Sequence, residues 1–222
     1  MTLQLRADTY FCIANHRVVL LDLKADRYFG LPLKADAAFQ KLAAGHHMDE
    51  ADLEALEPFV RNGLLQAGSE KVNEPKRPPL VAPTSSAVDA VSGSGGLLPM
   101  IEAVAIRLRA TKSLKRHSLH AAITDIQQRK ASQASQNNPS YDMIAPTLGA
   151  FLLTRRLMPT HDRCLPWSIA MADYLSRRRC FPDLVIGVKM KPFAAHAWIQ
   201  LEDRVLSDRL DEVLPYTPIL VV

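Results

Sequence analysis

Cys164-Leu165-Pro166-Trp167-Ser168, Ala195-His196-Ala197-Trp198 and Leu206-Ser207-Asp208 decide how this 222-residue chain reads. A thiol, an imidazole and a carboxylate come in that order. Pro166 suits a first helical turn, where its missing N–H has no intrahelical partner anyway. Trp167, Ile169, Ala170, Met171, Ala172 and Tyr174-Leu175 then predict an apolar helix ending near Arg177-Arg178-Arg179, basic residues that suit the negative end of the helix dipole. Cys164 stands at the positive end, where a thiol ionises more readily than a free cysteine, whose pKa is about 8.5. Arg163 adds positive charge beside it. From His196 onward, His196, Trp198 and Gln200 alternate with Ala197, Ile199 and Leu201, the period of a strand. Glu202-Asp203 reads as a turn, and Arg204-Val205-Leu206-Ser207 as the return strand with Asp208 at its end. Paired strands lie about 5 Å apart, so the return strand brings a carboxylate to His196.

The triple has the parts that thiol nucleophilic catalysis needs: a nucleophile, a base to take its proton, and a carboxylate to hold the imidazole tautomer. Each residue alone has an ordinary explanation. A cysteine in an apolar helix is commonly a small packing residue, and a strand histidine is commonly structural. Asp203 is a rival orienter, although a turn position favours solvent. The ordered set in a helix–strand–strand context carries the weight. The Cys164 backbone N–H is a candidate oxyanion donor; Gln200 and Trp198 are weaker candidates for a second.

These segments resemble the cysteine-peptidase domain of the transglutaminase-like superfamily found in lasso-peptide biosynthesis, over residues 97–222. The resemblance implies a papain/transglutaminase-like α+β domain with Cys164 as nucleophile, His196 as base and Asp208 as orienter. Such proteins remove the leader from a ribosomally made precursor, and the product passes to an asparagine-synthetase-like cyclase. Some relatives couple leader removal to ATP. The basic run Arg107, Arg109, Lys112, Lys115 and Arg116 is therefore a candidate ATP/Mg or polyanion site, against the plainer reading of a solvated helix face.

Residues 1–67 form a first unit. Thr9–Ile13, Arg17–Asp22 and Arg27–Leu31 read as strands, with Asn15-His16 as a turn. Two helices follow, Lys34 to Ala44 closed by Gly45, and Asp49 to Asn62, capped by Asp49 and ended by Gly63. A three-stranded sheet with helices on one face leaves a strand edge open to an extended peptide. The pattern Val19-Leu20-Leu21-Asp22-Leu23, Arg27-Tyr28-Phe29-Gly30-Leu31 and Gly63-Leu64-Leu65 resembles the winged-helix-like precursor-peptide recognition element. By that resemblance Arg27, Tyr28, Phe29 and Leu31, with Leu56 and Phe59 of the second helix, line a leader-peptide groove. Residues 68–96, rich in Pro, Ser and Gly, are expected to be a flexible linker. Its reach of roughly 30 Å would hold a bound leader near the second unit at about millimolar effective concentration.

With 48% hydrophobic residues the chain can bury a real core. Its three cysteines, Cys12, Cys164 and Cys180, are too widely spaced for a disulfide framework or a metal set, and Cys12 and Cys180 are expected to be inert. No secretory or membrane-spanning segment is evident. A cytoplasmic protein is expected, with no metal, nucleic acid or membrane among its partners. In the second unit, Leu98, Ile101, Val104-Ala105 and Leu108 are expected to face inward from one helix, Leu119, Ala122-Ile123 and Ile126 from another, and Ile144, Leu148 and Phe151-Leu152 from a third. That third helix would hold Pro146 in its first turn. Asp183 to Met190 reads as a central strand, and Val213 to Val222 as cover for a sheet edge. Two rivals remain. One is an acyltransferase of the same Cys–His–Asp core. The other is a basic nucleic-acid-binding regulator, argued from the winged-helix-like front, the pI near 9.0 and the 107–116 segment, which leaves the Cys–His–Asp triple unexplained.

Overall fold

Asn15 and His16 both adopt positive φ, 49° and 60°, the geometry of a two-residue hairpin turn that follows the twist of its strands. They join β2 (Thr9–Ala14) to β3 (Arg17–Asp22), and β4 (Arg27–Gly30) adds to the far side of β3. The chain's structure, a computed structural model, describes residues 2–68, 80–89, 96–132, 141–157 and 164–222. Before and after this sheet, β1 (Thr2–Leu5) pairs antiparallel with β5 (Leu65–Gly68), so Leu64-Leu65 leads into a strand. Between them lie α1 (Leu33–Ala43) and α2 (Glu50–Arg61). Asp49 caps α2 reciprocally with Asp52: the Asp52 N–H donates to Asp49 Oδ1 at 2.8 Å and the Asp49 N–H to Asp52 Oδ2 at 3.2 Å, a capping box built on carboxylates.

The second unit has α3 (Leu97–Arg116), α4 (Leu119–Ala131), α5 (Tyr141–Leu157) and α6 (Cys164–Ser176). Its five-stranded sheet runs β10–β7–β8–β9–β6, from β6 (Ser85–Ser86), β7 (Asp183–Met190), β8 (Phe193–Leu201), β9 (Arg204–Val205) and β10 (Thr217–Val221), with a short α7 (Leu210–Val213) before β10. β7 lies between β10 and β8, as its two apolar faces require. The segment ending at Val222 does more than cover the edge: β10 is itself a strand, antiparallel to β7. The whole is α+β. Among the described residues, no helix is long and apolar enough to cross a membrane.

The two units share a core. On β2 and β3, Phe11, Val18 and Leu20 pack against α1 and α2, whereas Cys12, Ala14, Val19 and Leu21 belong to the same buried cluster as Leu184, Ile186, Leu220 and Met171 of the second unit. The unbroken apolar runs of these strands are thus explained by burial on both faces. Residues 80–89 also depart from the expected linker. Ser85–Ser86 forms β6, parallel to β9, and Ala87 is fully buried. Thr84 is tied to Asp203 through its hydroxyl and, at 2.8 Å, through its N–H to the Asp203 carbonyl. Backbone and side-chain partners on the sheet hold this strap where composition alone suggested solvent. The remaining linker, residues 69–79 and 90–95, lies outside the described residues, as does Arg163.

One helix presents another face than expected. α3 buries Ala103, Ile106, Arg107 and Ala110, and leaves Leu98, Ile101 and Leu108 exposed. Its inward face is made of two alanines and one isoleucine plus one cation. The Arg107 guanidinium lies 4.4 Å from the Trp167 ring and donates to the Thr154 carbonyl at 2.5 Å. Burial, reinforced by Arg155, pushes its pKa down to about 10. Arg107 therefore leaves the basic stripe, and Arg109, Lys112, Lys115 and Arg116 are left along a solvated surface. In α5, Pro146 sits inside the helix rather than in its first turn.

Candidate active site

α6 begins at Cys164 and packs along β8. One turn on, the buried Ser168 hydroxyl donates to the Ala197 carbonyl at 2.9 Å, which pins the helix to the residue after His196. Cys164 is half-buried, and the His196 imidazole is close enough to shift its ionisation. Burial works against ionisation of Cys164. The His196 contact and the backbone N–H groups of Ala197 and Leu165 outweigh it, and the thiol pKa falls below its usual value. His196 is shifted the other way. Burial alone would lower its pKa, but Asp208 and Cys164 together raise it to about 9. Opposite shifts on a thiol and an imidazole that act on each other favour a thiolate–imidazolium pair.

His196 Nε2 is buried and lies 3.5 Å from Asp208 Oδ1. That is an ion-pair contact, long for an aligned hydrogen bond; catalytic contacts of this kind tighten when substrate binds. Asp208 is fixed from two sides. The Ser207 hydroxyl donates to its Oδ2 at 2.5 Å, and Ser86 of the strap donates to its backbone carbonyl at 2.7 Å. Asp203, the alternative orienter, is engaged with Thr84 instead. Gln200 and Trp198 are also occupied: Trp198 Nε1 donates to Gln200 Oε1 at 3.2 Å, and Gln200 Nε2 donates to the carbonyls of Val81 and Glu202, each at 2.7 Å. Neither is free to serve an oxyanion. The expected single donor, the Cys164 backbone N–H, remains at the tip of α6.

Sequence reasoning missed several supports of this site. Tyr216 lies 5.3 Å from the His196 ring, and Trp198 stacks at 6.2 Å. Gly187, opposite His196 in the β7–β8 ladder, leaves room for both. Ser86 sat in a Thr-Ser-Ser run with no distinguishing signal. The glycine inside an apolar strand pattern was the one detectable cue, because it marks close approach of another group.

The six residues expected to bind a leader do not line one groove. Leu31 and Leu56 are core residues, 3% and 0% exposed, and cannot touch a ligand without opening the front unit; their apolar character serves packing. Phe59 lines a cleft of about 650 Å³ between α1 and α2, with Ala35, Ala55 and Pro58. Arg27 and Phe29 stand together on β4, the guanidinium 5.6 Å from the ring. Tyr28, on the other face of that strand, turns toward the second unit and meets Phe193 at 5.8 Å.

The profile described as the transglutaminase-like superfamily matches residues 104–221. It takes in Cys164, His196 and Asp208, and leaves out the front unit and the strap. No curated protein and no solved structure matches the chain.

Proposed function

The chain belongs to the transglutaminase-like superfamily, and on that premise we propose that it is a cysteine peptidase that cuts the leader from a ribosomally made lasso-peptide precursor. The observation that carries the peptidase reading is the half-buried Cys164 at the tip of α6, its ionisation eased by a His196 that Asp208 accompanies. The leader-specific part draws on the resemblance of the front unit and on β4, which pairs only with β3 among the described residues. Its free edge can take an extended peptide by main-chain hydrogen bonds, with Arg27 and Phe29 beside it.

The Cys164 thiolate attacks the carbonyl carbon of the last leader residue. The oxyanion forms at the tip of α6, facing the Cys164 N–H and the positive end of the helix. Imidazolium His196 protonates the leaving nitrogen, the C–N bond breaks, and the core peptide departs with a free amine while the leader stays as a thioester. Neutral His196 then takes a proton from water. The resulting hydroxide attacks the thioester, the C–S bond breaks, and the leader leaves as a carboxylic acid with the thiolate restored. Asp208 stabilises the imidazolium in both halves. The freed core is the substrate that an asparagine-synthetase-like cyclase would close.

Cys164→Ala should abolish cleavage of a leader-bearing precursor while the same peptide still titrates onto the variant. Persistent cleavage would remove Cys164 as the nucleophile. A product carrying an added amine in place of water would instead identify an acyltransferase, since both share the thioester.

A further inference from the structure

The front unit reaches the catalytic cleft itself. Side chains alternate along a strand, and on β4 they divide sharply. Phe29 packs with the helix-side core, whereas Tyr28 packs at the margin of the shared core, as do Cys164 and Leu165. Tyr28 meets Phe193 edge to face, with ring planes at 63°. Phe193 opens β8, three residues before His196, and is 51% exposed. Tyr28 is half-buried. Its hydroxyl is held protonated, with its pKa pushed up to about 12 by burial first, then by Asp26 and by the thiols Cys164 and Cys12. The side chain packs on the same buried cluster as Cys164 and Leu165. An exposed ring standing against a neutral, partly buried one, on the strand that carries His196, is a surface for an apolar group rather than a charged one.

We propose that Tyr28 and Phe193 form one wall of a substrate subsite beside Cys164, built across the two units, that takes an aromatic or large apolar side chain flanking the scissile bond. This rests on the peptidase reading above. It moves Tyr28 from leader recognition to the choice of cleavage site, and makes the front unit part of the active site.

The test uses two alkylating probes on the full chain, acetyl-phenylalanyl and acetyl-glycyl chloromethyl ketone, which differ by one benzyl group. Each forms a bond from the Cys164 sulfur to the methylene carbon and releases chloride. Rates are read by mass spectrometry of the Cys164 peptide and expressed as the phenylalanyl-to-glycyl ratio within each variant, so changes in thiol reactivity cancel. N-acetylcysteine gives the ratio with no subsite. The wild-type ratio should exceed that reference on the order of tenfold. Phe193→Ala, at an exposed position, and Tyr28→Ala should each bring it toward the reference, and Tyr28→Phe should keep it. A wild-type ratio equal to the reference, or alanine variants that retain the wild-type ratio, would overturn the subsite while leaving the peptidase reading intact. If iodoacetamide labels wild-type Cys164 no faster than N-acetylcysteine at neutral pH, the peptidase reading fails, and the subsite with it.

Discussion

Gly187→Ala is a single-methyl change directly across the ladder from His196. An added Cβ would lie 2.7 and 2.8 Å from Cζ3 and Cη2 of Trp198, and 3.0 Å from Cβ of Tyr216. Real methyl carbons do not approach other carbons so closely, so something must move. Trp198 has little room: it is 1% exposed, and its Nε1 is tied to Gln200 at 3.2 Å. Overpacking of this kind costs about 1–3 kcal/mol. At roughly 2–4 °C per kcal/mol for a chain of this size, the melting temperature should fall by about 2–12 °C. Activity should fall as well, because the displaced Trp198 and Tyr216 are the rings that flank His196. Trp198→Phe removes the two ring atoms in the clash. The double variant should therefore be more stable than the sum of the two single costs allows, by on the order of 1 kcal/mol. Differential scanning calorimetry of the four proteins gives the cycle. Strict additivity, or a wild-type melting temperature for Gly187→Ala, would refute the proposed close packing behind His196.

Asp208→Ala should reduce kcat/KM by roughly 10²–10⁴-fold, the range expected when a triad loses its orienter, whereas Asp203→Ala, which only loosens Thr84 and the strap, should cost far less; equal losses would mean the wrong carboxylate has been assigned. The pH profile of kcat/KM should rise as Cys164 ionises below the usual thiol range and fall near pH 9 as His196 loses its proton; a rise only above pH 9 would contradict the coupled pair. The front unit expressed as residues 1–68 exposes Cys12, Ala14, Val19 and Leu21, which are buried in the whole chain. It should therefore self-associate or melt without cooperativity, and a sharp monomeric melt would argue against the shared core.

Much of this was legible in the residues. The alternation that starts at His196, the proline in the first turn after Cys164 and the Asp49 cap each rest on a local rule, and the strands and helices they imply are present. What failed depended on partners distant in the chain. On α3 the hydrophobic period marked Leu98, Ile101 and Leu108, but the buried face holds Ala103, Ala110 and Arg107, residues whose fit depends on Trp167 and Thr154 across the bundle. Ser86 is chemically the same as its neighbour Ser85, and only the parallel pairing with β9 selects it to hold Asp208. Only the resemblance places Leu31 and Leu56 in a groove, whereas large apolar residues at such spacing more often fill a core. The tether had contrary evidence in the sequence itself. Tyr10-Phe11-Cys12-Ile13 and Val18-Val19-Leu20-Leu21 show no polar face, and a sheet covered by helices on one side alone should have had one.

On the proposed reading, two-sided burial alters the physical basis of substrate delivery. A flexible tether raises local concentration and leaves orientation to diffusion, so its benefit falls roughly as the −3/2 power of its length. A front unit fused into the same core fixes both distance and direction before any peptide arrives, which is the costlier part of bringing a scissile bond to a nucleophile. The superfamily match begins at residue 104, yet Ser86, which holds Asp208, and Tyr28, which packs against Phe193, both precede it. On the proposed reading the site therefore extends beyond the residues that the match covers: the thiol chemistry comes from the superfamily domain, and the choice of bond from residues that the front of this chain supplies.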